Sequence, residues 1–334
     1  MTETILETRN LTKIFESKPD LIEKIASKIT HSNRYYKVYA AQDINISVKK
    51  GDVLGLVGES GCGKSTIGKM LAGILKPSGG DYFYKGSNYK ELREDHKKAL
   101  KIQMIMQDPT ASINIRKKIV DVISEAPLFH GLITKAEYRD YAAFYLEKTG
   151  LPADALDRYP HMFSGGQKQR ISIARALALK PDFLICDESV AALDVSIQAQ
   201  VINLLLDLKN EFDLTMIFIS HDLSVIKHIS NQICVMYLGQ IVEYGETEDV
   251  FENPQHPYTQ TLLRAIPDIH NFGAVFEPIE GEIPSPINPP SGCYFHPRCP
   301  YVMAQCVTDT PELQFIRDRK IACHLCANKS QNKP

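Results

Sequence analysis

The chain has 334 residues, more than the roughly 100–200 that one domain usually takes, so a large core with at least one smaller appended unit is expected. Its 38 Lys and Arg stand against 40 Asp and Glu, a formal net charge of −2, which argues against a dominant nucleic-acid role because gripping a phosphodiester backbone takes a concentrated excess of positive charge. The first residues, Met1 to Thr8, lack the basic and apolar sections of a secretory signal, and no run approaches the ~18 consecutive apolar residues of a membrane span, so the chain is expected in the cytosol.

In chain order, Ile5 to Leu11 reads as a short first strand, and the polar, lysine-bearing stretch 16–34 as an exposed insertion. Asp43 to Val48 alternates polar and apolar residues, as a half-buried strand does, whereas Val53 to Val57 is a continuous apolar run suited to a strand covered on both faces. Ile67, Met70, Leu71, Ile74 and Leu75 then recur at helical spacing up to a Pro77-Ser78-Gly79-Gly80 stop. Residues 108–170 carry a helical insert. Buried strands return at Phe183 to Cys186 and Met216 to Ile219, separated by a helix bearing Ile197, Val201, Leu204, Leu205 and Leu208. From residue 254 prolines accumulate, predicting a small irregular unit over 254–334 behind an α/β unit over 1–253.

Between the apolar run and the first helix lies Gly58-Glu59-Ser60-Gly61-Cys62-Gly63-Lys64-Ser65, followed by Thr66. It fits the G-x-x-x-x-G-K-[ST] phosphate loop in the strand–loop–helix setting the mechanism requires. Backbone N–H groups and the helix N-terminus would cradle a triphosphate, Lys64 would reach the β- and γ-phosphates, and the Ser65 hydroxyl would bind Mg2+. The strand ending in Asp187 and Glu188 supplies the second half: Asp187 toward Mg2+, usually through water, and Glu188 to polarise the attacking water.

The string Phe163-Ser164-Gly165-Gly166-Gln167-Lys168-Gln169-Arg170 resembles the signature sequence of ATP-binding-cassette ATPases. The order of motifs is similar too: phosphate loop, Gln107 after the run Ile102 to Met106, signature, Asp187-Glu188, Ala192-Leu193-Asp194, and His221 after the third buried strand. Two positions depart from the family pattern: Ser189 stands where proline is usual, and Phe163 where leucine is commoner. The resemblance implies an α/β phosphate-loop NTPase core with an antiparallel β subdomain. It also implies that Ser164, Gly165 and Gly166 cap the γ-phosphate of ATP bound to the opposite subunit of a head-to-tail dimer. Gln107 would touch Mg2+ and water, Asp194 would stitch the dimer, and His221 would hold the γ-phosphate and the attacking water. Adenine would stack on an upstream aromatic residue. Counting back from Asp43 favours Tyr35 or Tyr36, and counting forward from the first strand favours Phe15.

Phe163 to Gln167, Ala192 to Gln200, His256 to Thr259 and Gly292 to Pro300 together resemble the ATPase subunits of bacterial dipeptide/oligopeptide importers. Related subunits serve a nickel importer. The implied partners are two membrane permease subunits, a second nucleotide-binding subunit and, indirectly, an extracytoplasmic binding protein, at the cytoplasmic face of the membrane.

Five of eight cysteines fall between positions 293 and 326. In a reducing compartment such spacing points to metal ligation rather than disulfides. Cys293, Cys299, Cys306 and Cys323, with Cys326 in reserve, suit a 4Fe–4S cluster or tetrahedral Zn2+, and the wide, uneven gaps favour the cluster. Similar cysteines occur in the importer branch, where some members carry such a cluster. His161, His256, His296 and His324 read as turn or surface residues, and Cys62, Cys186 and Cys234 as a variable loop position and two buried small residues.

Overall fold

The computed structural model describes residues 3–16, 36–265 and 281–331. Tyr35 and nearly all of the expected insertion lie outside them. Strands β1 (Thr4–Glu16), β2 (Lys37–Ile44) and β3 (Ser47–Lys49), with β5 (Gly79–Tyr84) and β6 (Ser87–Asn88), form an antiparallel sheet. β1 is longer than Ile5–Leu11 because register shifts near Leu11 and Lys13 let its far half pair with β2. The single strand expected over Asp43–Val48 is broken. Asp43 has φ 49°, and the Asn45 side chain takes over local backbone groups, accepting from the Asn10 N–H at 2.9 Å and donating to the Asp43 carbonyl at 2.8 Å.

The second sheet has the order β12-β13-β11-β10-β4-β9-β8-β7. Its strands are β4 (Val53–Val57), β7 (Ile102–Ile105), β8 (Phe183–Asp187), β9 (Thr215–Ile219), β10 (Gln232–Tyr237), β11 (Gln240–Glu246), β12 (Gln314–Ile316) and β13 (Arg319–Ile321). From β10 to β7 all neighbours are parallel. Every residue of β4, β8 and β9 is buried, which is why these segments read as unbroken apolar runs rather than alternating ones.

Helix α1 (Lys64–Leu71) starts at the phosphate loop and stops short of the expected Leu75. Gly73 adopts φ 71° and donates to the Met70 carbonyl, turning the chain and leaving Ile74 half-exposed. Helices α2 (Ile119–Phe129), α3 (Tyr138–Lys148) and α4 (Gly165–Leu177) pack through Ile119, Ile123, Ala142, Leu146 and Ile171, continuous with the core over β8 and β9. Helices α5 (Val195–Glu211) and α6 (Leu223–Ile229) follow β8 and β9.

The proline-rich end contributes short elements only, yet it shares the main core. Tyr258 in α7 (Pro257–Arg264) and Phe295 are both buried against Tyr237 of β10, with ring centroids 4.7–5.3 Å apart. β13 extends the sheet from β11, and the Arg319 guanidinium reaches buried Glu243 at 3.4 Å and the carbonyls of Asp249 and Asn253. His256, expected at a turn or surface, is buried: it caps α7, its Nδ1 accepting from the Tyr258 N–H at 3.0 Å.

Burial pushes the His256 pKa down to about 3 from an ordinary 6.5. The unfolded chain therefore binds a proton that the folded chain refuses, and the stability from this residue, full above pH 6.5, is lost as pH falls toward 3. Between pH 7 and 5 the wild-type protein is expected to lose about 2 kcal/mol more than His256→Asn, read by urea denaturation at each pH.

Candidate active site

The phosphate loop leaves the C-terminal end of β4, and backbone from two other strands passes close beneath it. A Cβ on Gly63 (φ 105°) would stand 1.9 Å from the Ala40 carbonyl oxygen of β2, and one on Gly58 would stand 2.2 Å from that of Met236 in β10. These glycines are demanded by close approach as well as by conformation. Lys64 is almost wholly buried, and its Nζ donates to the carbonyls of Gly58 at 2.7 Å and Glu59 at 3.1 Å, which centres its charge in the loop. Ser60 and Gly61 face solvent, while Cys62 is buried and its thiol pKa is raised by that burial.

Parallel pairing brings the ends of β4, β9, β8 and β7 to one edge, the usual ligand-binding edge of such sheets. There the Ser65 hydroxyl donates to Asp187 Oδ1 at 2.7 Å, uniting the two expected Mg2+ ligands across 122 positions of sequence. Desolvation raises the Asp187 pKa, opposed by the Ser65 hydrogen bond and by Lys69. A hard divalent cation suits this hydroxyl–carboxylate pair and would favour the charged carboxylate.

Glu188 takes a left-handed backbone (φ 44°), uncommon for a residue with a side chain, and its N–H donates to the Ile219 carbonyl. Its carboxylate accepts from Gln107 Nε2 at 2.7 Å through one oxygen and lies 3.6 Å from His221 Nδ1 through the other. Three loops, after β7, β8 and β9, thus deliver three polar groups to one point. Gln107 and His221 are exposed around the half-buried Glu188.

Ser164 begins α4 as half of a capping box: it accepts from the Gln167 N–H at 3.4 Å, and Gln167 Oε1 accepts from the Ser164 N–H at 3.0 Å. Gly166 packs against α5, where a Cβ would meet Ile197 Cγ2 at 2.6 Å. Phe163 is buried as an apolar anchor, while Ser164, Gly165 and Asp194 are exposed. Among the described residues no hydrogen bond joins 163–167 to the phosphate loop of the same chain.

Phe15 and Tyr36, reached by opposite counts along the sequence, are neighbours in the fold. β1 and β2 pair Phe15 with Val38 and Glu16 with Lys37, so the insertion leaves and returns at one place. Both rings are exposed.

Cys293, Cys299, Cys306 and Cys323 line one cavity with His256, Phe295, Tyr301 and Leu325. Burial pushes the Cys293 thiol up to about 11 and raises that of Cys299, whereas hydrogen bonding from Cys326 draws Cys323 down to about 6. Among the described residues no group of three or more His, Cys, Asp or Glu side chains is arranged to hold a metal ion, so the expected metal site finds no support in the arrangement of these side chains. Two contacts on the phosphate loop, from Tyr258 and Arg298, carry no sequence signal, because their partner Glu59 is about 200 positions or more away.

Solved nucleotide-binding cassettes share this fold. One, a dimer in a post-hydrolysis state bound to ADP and Pi, superposes with a TM-score of 0.62 at 24% identity, covering 73% of this chain and 99% of its own. Another, cbiO1 from Clostridium perfringens, part of the ABC transporter complex cbiONQ, gives 0.59 at 25% identity, covering 75% and 92%. The fold is that of an ABC ATPase. The ABC transporter family profile matches residues 41–191, and the profile of the oligopeptide/dipeptide transporter C-terminal region matches 242–306. The dipeptide transport ATP-binding protein DppF of Haemophilus influenzae is 48% identical over 86% of this chain and 89% of its own. The oligopeptide transport ATP-binding protein AppF of Bacillus subtilis is 44% identical over 97% and 98%. The chain belongs to the ABC transporter family, in the branch of these ATP-binding proteins, and membership implies ATP with Mg2+.

Gly63→Ala places a methyl group in the Ala40 carbonyl and forces a left-handed alanine, itself worth about 1–2 kcal/mol. It is expected to lower the urea midpoint and weaken ATP binding by at least about tenfold, measured by calorimetric titration.

Proposed function

We propose that this chain is the ATP-hydrolysing motor subunit of a membrane importer for dipeptides or oligopeptides. The observation that carries the reading is the Glu188 carboxylate held between Gln107 and His221, one residue from the Asp187–Ser65 pair. Gly58, Ser60, Gly61, Cys62, Gly63, Lys64, Ser65 and Thr66 bind the triphosphate, with Phe15, Tyr35 or Tyr36 under the adenine. Mg2+ bound by Ser65 and Asp187, with Gln107 near, supplies charge neutralisation at the phosphates. Glu188 then takes a proton from the water attacking the γ-phosphate, and His221 orients that water and the phosphate.

The exposed Ser164, Gly165 and Gln167, with Gly166 behind them, serve the facing subunit. Their helix N-terminus caps its γ-phosphate, and Asp194 ties the two subunits, so hydrolysis follows head-to-tail closure. Two permease subunits take up that motion at the cytoplasmic face of the membrane, and an extracytoplasmic binding protein delivers cargo. No helix among the described residues is long and apolar enough to cross a membrane, so a spanning path has to come from other subunits. Residues 1–253, with the helical part at 108–170, form the nucleotide-binding unit, and 254–334 the C-terminal, Cys-rich unit. The names of the relatives favour peptide cargo over nickel or another small solute.

The same reading assigns a 4Fe–4S cluster to Cys293, Cys299, Cys306 and Cys323. Its support is the shared, partly apolar cavity and a Cys323 poised toward thiolate. The wide, uneven spacing of the four cysteines along the sequence favours the cluster over Zn2+. A cluster would cross-link the C-terminal turns.

Glu188→Gln is expected to cut turnover by roughly 10²–10⁴ while ATP binding persists. Undiminished hydrolysis removes the assignment. Protein purified without oxygen should carry iron and sulfide and absorb at about 400 nm; zinc at one per chain with no iron defeats the cluster.

A further inference from the structure

We propose that Arg298 is a positioning residue for the phosphate loop, and that it makes ATP affinity depend on the turn between Cys293 and Cys299. The proposal rests on the reading of Gly58–Ser65 as an ATP site. Glu59, a variable position of the motif, has every polar group engaged. Its N–H donates to Tyr258 Oη at 3.0 Å, its carbonyl accepts from Lys64 Nζ at 3.1 Å, and its carboxylate receives the Arg298 guanidinium as a fork, Nη1 at 2.8 Å and Nη2 at 3.0 Å. The Arg298 side chain is 3% exposed and that of Glu59 19%, so the pair is shielded from water. Arg298 is itself fixed by Tyr237, whose hydroxyl lies 3.3 Å from Nη1 and whose ring centroid lies 5.9 Å from the guanidinium carbon.

This arrangement answers an electrostatic problem. A carboxylate at the mouth of a loop built to bind a polyanion repels its ligand, and one stranded without water repels it more. The bidentate arginine cancels that charge and holds Glu59 so that its carbonyl meets Lys64. Lysine would bring the charge without the fork. The arginine comes from the short turn His296–Arg298, pinned by the Cys293 carbonyl accepting from the His296 N–H at 2.9 Å and followed directly by Cys299. Two of the four cavity cysteines thus bracket the residue that holds the loop.

The test uses the full-length chain with trinitrophenyl-ATP titration for affinity, and the assembled transporter for kcat and KM. Arg298→Met is expected to weaken nucleotide binding about tenfold and raise KM alike, with kcat at saturating ATP within about twofold. Arg298→Lys should fall between it and wild type. Adding Glu59→Gln to Arg298→Met should restore most of the affinity, because it removes the stranded charge. A purely structural role would instead lower the melting temperature and the active fraction, leaving the KM of the surviving molecules unchanged. That result, or additive losses in the double variant, overturns the proposal; if Arg298→Met does not fold, affinity and KM unchanged from wild type in Arg298→Lys do so. Wild-type chain that binds no nucleotide defeats the underlying reading of the loop instead.

Discussion

Backbone of β2 and β10 lies against the phosphate loop so closely that Gly63 and Gly58 have no room for a side chain, and the rest of the site depends on that contact. It wedges the loop between the antiparallel sheet and the parallel one, sets the start of α1, and buries Lys64 beneath the loop carbonyls. The loop's conformation is therefore set by its packing against two strands.

The groups proposed for catalysis come from a different constraint. Strands β7, β8 and β9 run parallel, so their C-terminal ends share an edge, and Gln107, Glu188 and His221 arrive there from three connections. The left-handed backbone of Glu188 turns its carboxylate to meet both neighbours. A strained residue persists where its surroundings over-determine it, and here Gln107, His221 and the Ile219 carbonyl do so. The signature helix is anchored by its own capping box and by Gly166 against α5, which leaves Ser164 outward and available to a facing copy.

At the other end, the chain that looks irregular in composition is tied to the core. Tyr258 and Phe295 join the cluster around Tyr237, β13 lengthens the sheet, and Arg298 clasps Glu59. Apolar burial against the main core therefore helps to stabilise the proline-rich segment. His256 shows why composition misleads here: beside proline it reads as a turn residue, and it is one, but a buried turn capping a helix.

Much of this was legible in the sequence. Apolar runs identified β4, β8 and β9 because strands covered on both faces need no polar alternation. The phosphate loop, Asp187, Glu188 and the signature were readable because their chemistry demands particular residue types at short, fixed spacing. Helix α1 was read one turn too long and β2–β3 as one strand, since a glycine at φ 71° and an asparagine that rebonds the backbone act through conformation, which hydrophobic periodicity does not record. Only the tertiary structure decided that Phe15 and Tyr36 share one end of a sheet, that buried His256 joins the four cysteines in lining one cavity, and that Arg298 holds Glu59 from 239 positions away. Those pairings join residues far apart along the chain, and no local pattern can encode which distant partner a side chain will meet once the core has closed.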